Sequence, residues 1–121
     1  MNSTNVFVYG TLMRGERAHA FLAEAAYLGE YRLRDYAIYN LGRYPGIRPK
    51  KGGTVYGEVY AVDGRMLADM DRYEGEGSLY HRTPVTAEND SERIAAVAYV
   101  YAQEIRGNEI AGGKWNRGGT R

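Results

Sequence analysis

The sequence predicts an α+β fold, either a mixed sheet or a small barrel, of about six strands and two helices. Three observations carry this reading. Short runs of β-branched and aromatic residues outnumber helical segments, only two stretches repeat apolar residues at helical spacing, and neither a linker nor an internal repeat divides the chain. Residues 1–121 therefore read as one domain, a length that a single hydrophobic core ordinarily organises.

Residues 5–9 (NVFVY) are β-branched and aromatic and end at Gly10, which predicts a first strand. The turn GTLMRGE leads into residues 16–26 (ERAHAFLAEAA). There alanine, leucine and glutamate dominate, and Ala18, Phe21, Leu22 and Ala25 recur at helical spacing, which predicts the first helix. In residues 27–41, Tyr27, Gly29, Tyr31 and Leu33 alternate with Glu30, Arg32 and Arg34, the pattern of one or two half-exposed strands. Residues 42–53 (GRYPGIRPKKGG) are rich in glycine and proline and predict a loop.

Residues 54–62 (TVYGEVYAV) are the clearest strand. Asp63 is placed to accept hydrogen bonds from the first free amides of a second helix running to about Glu74. Met66, Leu67, Met70 and Tyr73 form its apolar stripe, and Gly75 is its stop. Residues 80–87 and 94–102 flank a polar ENDSER segment and predict a β-hairpin. The glycine-rich tail, residues 107–121, predicts irregular backbone. Its lone Trp115 predicts anchorage on the body of the protein, because burying an indole stabilises by a few kcal/mol.

Composition narrows the function. Hydrophobic residues at 44% and charged residues at 26% exclude a disordered or fibrous chain. Sixteen basic against 15 acidic residues leave a net charge of +1, so no field argues for nucleic acid or an anionic membrane as partner. The absence of cysteine removes disulfides, thiolate metal sites and a cysteine nucleophile. No apolar run is long enough to span a membrane and MNSTN carries no charged-then-apolar signal, so a cytoplasmic protein is expected. Tyrosine supplies 12 aromatic residues against two phenylalanines and one tryptophan, which predicts hydroxyls inside the protein in need of partners.

Gly10 and Gly15 have the spacing of a phosphate-binding loop, but Glu16 and Arg17 stand where such a loop needs lysine and a hydroxyl residue. Two readings of the turn remain: an ordinary tight turn, or exposed N–H groups suited to a carboxylate or a developing oxyanion. Ser3, Ser78 and Ser91 fall in loops or the terminus without a nucleophile elbow, which disfavours serine catalysis. His19 and His81 lack any ligand-spaced companion, so no metal is expected; His19 reads as a helix-surface residue and His81 as a strand residue. A glutamate in the last helical turn faces the negative end of the macrodipole, at a cost of about 0.3–1 kcal/mol when exposed. Stability alone therefore does not choose Glu74. It reads either as part of a solvated cluster paired with Arg72 or Arg82, or as a general base whose pKa is raised by burial in a tyrosine-lined cavity. Glu76 competes for that role, and Asp71 follows. Stacking of RNA on Tyr and Arg is disfavoured, since the aromatic residues fall within strand runs.

Four stretches together are more specific than any of these alone. They are V-F-V-Y-G-T-L-M-R-G at 6–15, Y-P-G at 44–46, Y-G-E-V-Y-A-V-D at 56–63, and M-L-x-x-M-D-R-Y-E-G with a later L-Y-x-R within 66–82. They resemble the γ-glutamylcyclotransferase-like superfamily, in its short AIG2-like and γ-glutamylamine cyclotransferase branch, over roughly residues 5–102. The resemblance implies a small mixed β-barrel flanked by helices. It implies that Tyr9, Gly10, Thr11 and Leu12 cradle the amino-acid end of the substrate, that Glu74 is the catalytic glutamate, and that Tyr80 and Arg82 shape the pocket. The implied partner is a small-molecule γ-glutamyl amine or peptide. Its α-amine attacks its own γ-carbonyl to give 5-oxoproline and a free amine, with no cofactor and no metal. The alternative is a catalytically silent module holding an amino-acid-like ligand in the same pocket. Arg43, Arg48, Lys50 and Lys51 read as solvated loop charge or as a rim favouring an acidic substrate.

Overall fold

The computed structural model describes residues 3–16 and 18–115. In chain order its elements are β1 (Thr4–Val8), β2 (Ala26–Asn40), β3 (Pro45–Val62), α1 (Gly64–Glu74), β4 (Tyr80–Glu88) and β5 (Arg93–Tyr101). The strands close into a barrel in the order β1-β3-β2-β4-β5. Neighbours are antiparallel except β5 and β1, which run parallel through the Val6–Val97 pair and so complete the circuit. Phe7, Leu33, Ile38, Ile47, Val55, Val59 and Tyr99 are fully buried and fill the core. Among the described residues no helix is long and apolar enough to cross a membrane.

Three expectations are corrected. The described residues form five strands, because 27–40 belong to the single strand β2, whose register against β3 shifts beside Gly29 and Asp35. The predicted loop at 42–53 is largely strand: β3 starts at Pro45 and pairs with β2 from Asn40 back to Tyr36. Its prolines are tolerated because, among the described residues, only β2 pairs with this half of β3, which leaves its other side an edge. Gly52 serves the irregularity opposite Asp35, with φ 86° and its N–H donated to Asp35 Oδ1 at 2.9 Å.

The third correction concerns residues 16–26, where the expected α-helix shrinks to one 3₁₀ turn, His19–Leu22. Helix propensity over so short a stretch does not sustain a helix without a packed face. Here β2 already claims Ala26 by pairing it with Ala61, while Ala18 donates to Thr11 O at 2.9 Å. Ala18 and Leu22 still reach the core; Phe21 does not.

Local signals elsewhere act as expected. Asp63 Oδ1 accepts from Met66 N at 2.8 Å, and Gly75 ends α1 in the left-handed conformation. Met70 anchors the helix on the barrel with no exposed surface. Truncation of a buried methionine removes apolar contacts and leaves a cavity, so Met70→Ala is expected to cost about 2–5 kcal/mol in urea unfolding. After β5 the chain lies across the barrel, with Ile110 N donating to Ile38 O and Tyr56 N to Gly113 O. Trp115 is buried, and the remainder of the expected irregular tail, 116–121, lies outside the described residues.

Candidate active site

β1 delivers its last residues into a turn that cannot carry a side chain at its first position. A Cβ on Gly10 would lie 2.5 Å from Pro45 Cγ and 2.8 Å from Pro45 Cδ, so the two backbones meet only because Gly10 has none. Beyond it, the carbonyls of Gly10 and Thr11 accept from Met13 N at 3.0 Å and Ala18 N at 2.9 Å. In a trans peptide the C=O and the following N–H point opposite ways, so these bonds orient the Thr11 and Leu12 amides away from residues 13–18. Among the described residues the amides of Gly10, Thr11 and Leu12 reach no acceptor, although all three residues are buried.

These residues line a cavity of about 270 Å³ together with Tyr9, Glu74 and Tyr80. Tyr44, Tyr73 and Tyr99 complete an aromatic lining, and Arg43 also borders it. Glu74 comes from the last turn of α1, and Tyr80 opens β4 just beyond the Gly75 stop. Thr11 Oγ1 and Tyr73 Oη lie 2.9 Å apart, which ties the turn to α1 one residue before the glutamate.

Burial pushes the Glu74 carboxyl from 4.5 up to about 7. Among the described residues it takes part in no hydrogen bond or ion pair. Its two rivals are differently placed. Glu76 is exposed and accepts from Arg82 N at 3.3 Å. Asp71 accepts the Tyr99 hydroxyl at 2.6 Å and forms an ion pair with Arg82. Two of the lining tyrosines donate their hydroxyls to carbonyls: Tyr9 to Tyr99 O at 2.6 Å and Tyr80 to Pro45 O at 2.7 Å. Burial raises both phenols further, so they stay neutral while Glu74 titrates near neutrality.

A sequence model of the family described as gamma-glutamyl cyclotransferase, AIG2-like, matches residues 6–117. The chain belongs to this family. The gamma-glutamylcyclotransferase family protein YtfP of Citrobacter rodentium is 37% identical over 111 residues, covering 91% of this chain and 93% of the relative. The gamma-glutamylaminecyclotransferase of Homo sapiens is 41% identical over 88 residues, covering 64% of this chain and 58% of the human protein. An AIG2-like protein of Mus musculus superposes over 100% of both chains with a TM-score of 0.79 at 24% identity, a likeness of fold.

In this AIG2-like family member the cavity brings together six of the seven residues singled out from the sequence: Glu74, Tyr9, Gly10, Thr11, Leu12 and Tyr80. Arg82 is not among the lining residues. Its guanidinium forms an ion pair with Asp71, which also accepts the hydroxyl of the cavity-lining Tyr99. Tyr44, Tyr73 and Tyr99 were not singled out as site residues. Signals for two of them were present: Tyr44 opens the Y-P-G stretch, and Tyr73 precedes Glu74 in the apolar stripe, whereas Tyr99 lies in a run that is apolar throughout. His19 is not a helix-surface residue either. It is half-buried, with its ring 5.5 Å from that of Tyr60 and Nδ1 3.0 Å from Leu12 O.

Proposed function

We propose that this family member cyclises a γ-glutamyl amine or small γ-glutamyl peptide to 5-oxoproline and releases the amine. The observation that supports this is one cavity lined both by a carboxyl poised near neutral pH and by a turn of buried amides that reach no acceptor among the described residues.

The chemistry begins with a proton. An α-amine has a reference pKa near 8 and arrives mainly as an ammonium, which has no lone pair for attack. Transfer to a carboxylate of pKa about 7 is uphill by only about 1.4 kcal/mol, against about 5 kcal/mol for one at 4.5. The freed amine attacks the γ-carbonyl carbon and closes a five-membered ring. As the bond from that carbon to the leaving nitrogen breaks, Glu74 returns its proton to the leaving nitrogen and takes up the second proton of the ring nitrogen, which the released amine then acquires as it becomes an ammonium, so no proton is gained or lost overall. The amides of Thr11 and Leu12 hold the substrate α-carboxylate, which fixes the chain in the folded shape that ring closure needs. The aromatic lining excludes water from the carbonyl and keeps Glu74 poorly solvated.

The test is 5-oxoproline release from a panel of γ-glutamyl amines and γ-glutamyl peptides. Turnover of at least one is expected, with kcat/KM falling about tenfold per pH unit below an acid limb at about 7, because the reactive enzyme carries the carboxylate. Tight binding across the panel without product would replace the enzyme with a binding module.

A further inference from the structure

We propose that His19 is a positioning residue that fixes the amide turn for the substrate carboxylate. The inference rests on the cyclotransferase reading above and adds to it a residue outside the cavity lining.

The turn is held from behind, carbonyl by carbonyl. Gly10 O and Thr11 O are taken by the backbone N–H groups of Met13 and Ala18. The third carbonyl, Leu12 O, lies 3.0 Å from His19 Nδ1, the one side chain in this set of bonds. A carbonyl only accepts, so Nδ1 carries the proton in this bond. Leu12 C=O shares its peptide plane with Met13 N–H, which itself donates to Gly10 O. The imidazole therefore locks the last plane of the turn, and that plane closes the bond that orients the Thr11 amide.

The imidazole is itself immobilised. Its ring packs on Tyr60 at 5.5 Å, and Tyr60 packs on Tyr27 at 5.3 Å. The Tyr60 hydroxyl and Arg14 N both donate to Glu58 Oε1 at 2.9 Å, which brackets the far side of the turn. Both the Nδ1–H neutral tautomer and the imidazolium can make the Leu12 bond.

Asparagine carries a donor nitrogen on the same carbon that bears Nδ1 in histidine, whereas glutamine carries its donor one carbon farther out. The experiment compares His19→Ala, His19→Asn and His19→Gln with the wild type in 5-oxoproline release and in the amide NMR shifts of Thr11 and Leu12. His19→Ala and His19→Gln are expected to raise KM roughly 10- to 100-fold with kcat nearly intact, since an interaction shared by ground and transition states is lost. His19→Asn is expected to stay within about threefold of wild type, with the acid limb unmoved at about 7. The Thr11 and Leu12 amides are expected to shift in the alanine and glutamine variants and return in the asparagine variant. A wild-type KM in folded His19→Ala or His19→Gln, or an acid limb displaced in His19→Asn, would overturn the proposal. The NMR arm needs no turnover, so restored amides in a protein that forms no product would leave His19 in place and remove the cyclotransferase reading instead. Should His19→Ala fail to fold, the glutamine and asparagine pair carries the same comparison.

Discussion

Replacing Glu74 with glutamine is expected to lower 5-oxoproline release by about 10²–10⁴-fold and, at pH 8, to make the protein more stable than the wild type. The first effect removes the group that moves the proton. The second follows from the same burial. Between 4.5 and about 7 the folded protein keeps a proton on Glu74 that the unfolded chain has lost, so wild-type stability falls as pH rises through this window. Below pH 4.5 the group contributes nothing unfavourable, and above about 7 its full cost, about 3 kcal/mol, is present. Glutamine is neutral throughout and escapes that cost. Thermal unfolding at pH 4.5 and pH 8 checks this: the two proteins should melt together at the lower pH and differ on the order of 10 °C at the higher. Equal melting at both values would mean that the carboxyl is not desolvated.

A methyl group at position 10 is the second large perturbation. In Gly10→Ala the new Cβ meets Pro45 Cγ and Cδ at 2.5 and 2.8 Å, closer than carbon atoms approach. Pro45 is not a free surface ring. It begins β3, pairs with Asn40, and its carbonyl accepts the Tyr80 hydroxyl at 2.7 Å. Relief therefore pushes the Pro45 wall and Tyr80 outward or drags the turn off its bonds to Met13 and Ala18, and either movement disturbs the carboxylate cradle. The expected result is a loss of about 1–3 kcal/mol in stability from overpacking and roughly 100-fold in kcat/KM from misplacement of the reacting groups. Denaturant unfolding and steady-state kinetics measure the two separately. A variant of wild-type stability and activity would show that the turn yields without consequence.

What the sequence revealed follows the range of the forces involved. The Asp63 cap, the Gly75 stop and the strand before them were legible because each depends on neighbours a few residues away. The β4–β5 hairpin was legible for the same reason, its turn held by Asn89 Oδ1 accepting from Ser91 N and Glu92 N. The segment at 16–26 was misread because its helix propensity is weak beside the claims of β2 and the Thr11 carbonyl, both distant in sequence. The strand from Pro45 was hidden by glycine and proline, whose tolerance depends on an unpaired edge and on a bulge against Asp35. Of the cavity residues, Tyr9 to Leu12, Glu74 and Tyr80 stood out through motifs shared with a family. Tyr99 did not, because residues 94–101 (IAAVAYVY) are apolar throughout, so no alternation marks which of them face a cavity. Arg82 shares a motif and a strand face with Tyr80, yet its guanidinium is held by an ion pair with Asp71 on α1, a partner distant in sequence.

The crystal structure of the protein soaked with 5-oxoproline tests most directly whether the acid and the turn serve one ligand. The ring is expected inside the cavity, with carboxylate oxygens within hydrogen-bond reach of the Thr11 and Leu12 amides and the ring nitrogen beside the Glu74 carboxyl. A ring bound elsewhere, or one whose carboxylate ignores those amides while Glu74 points away, would contradict the account.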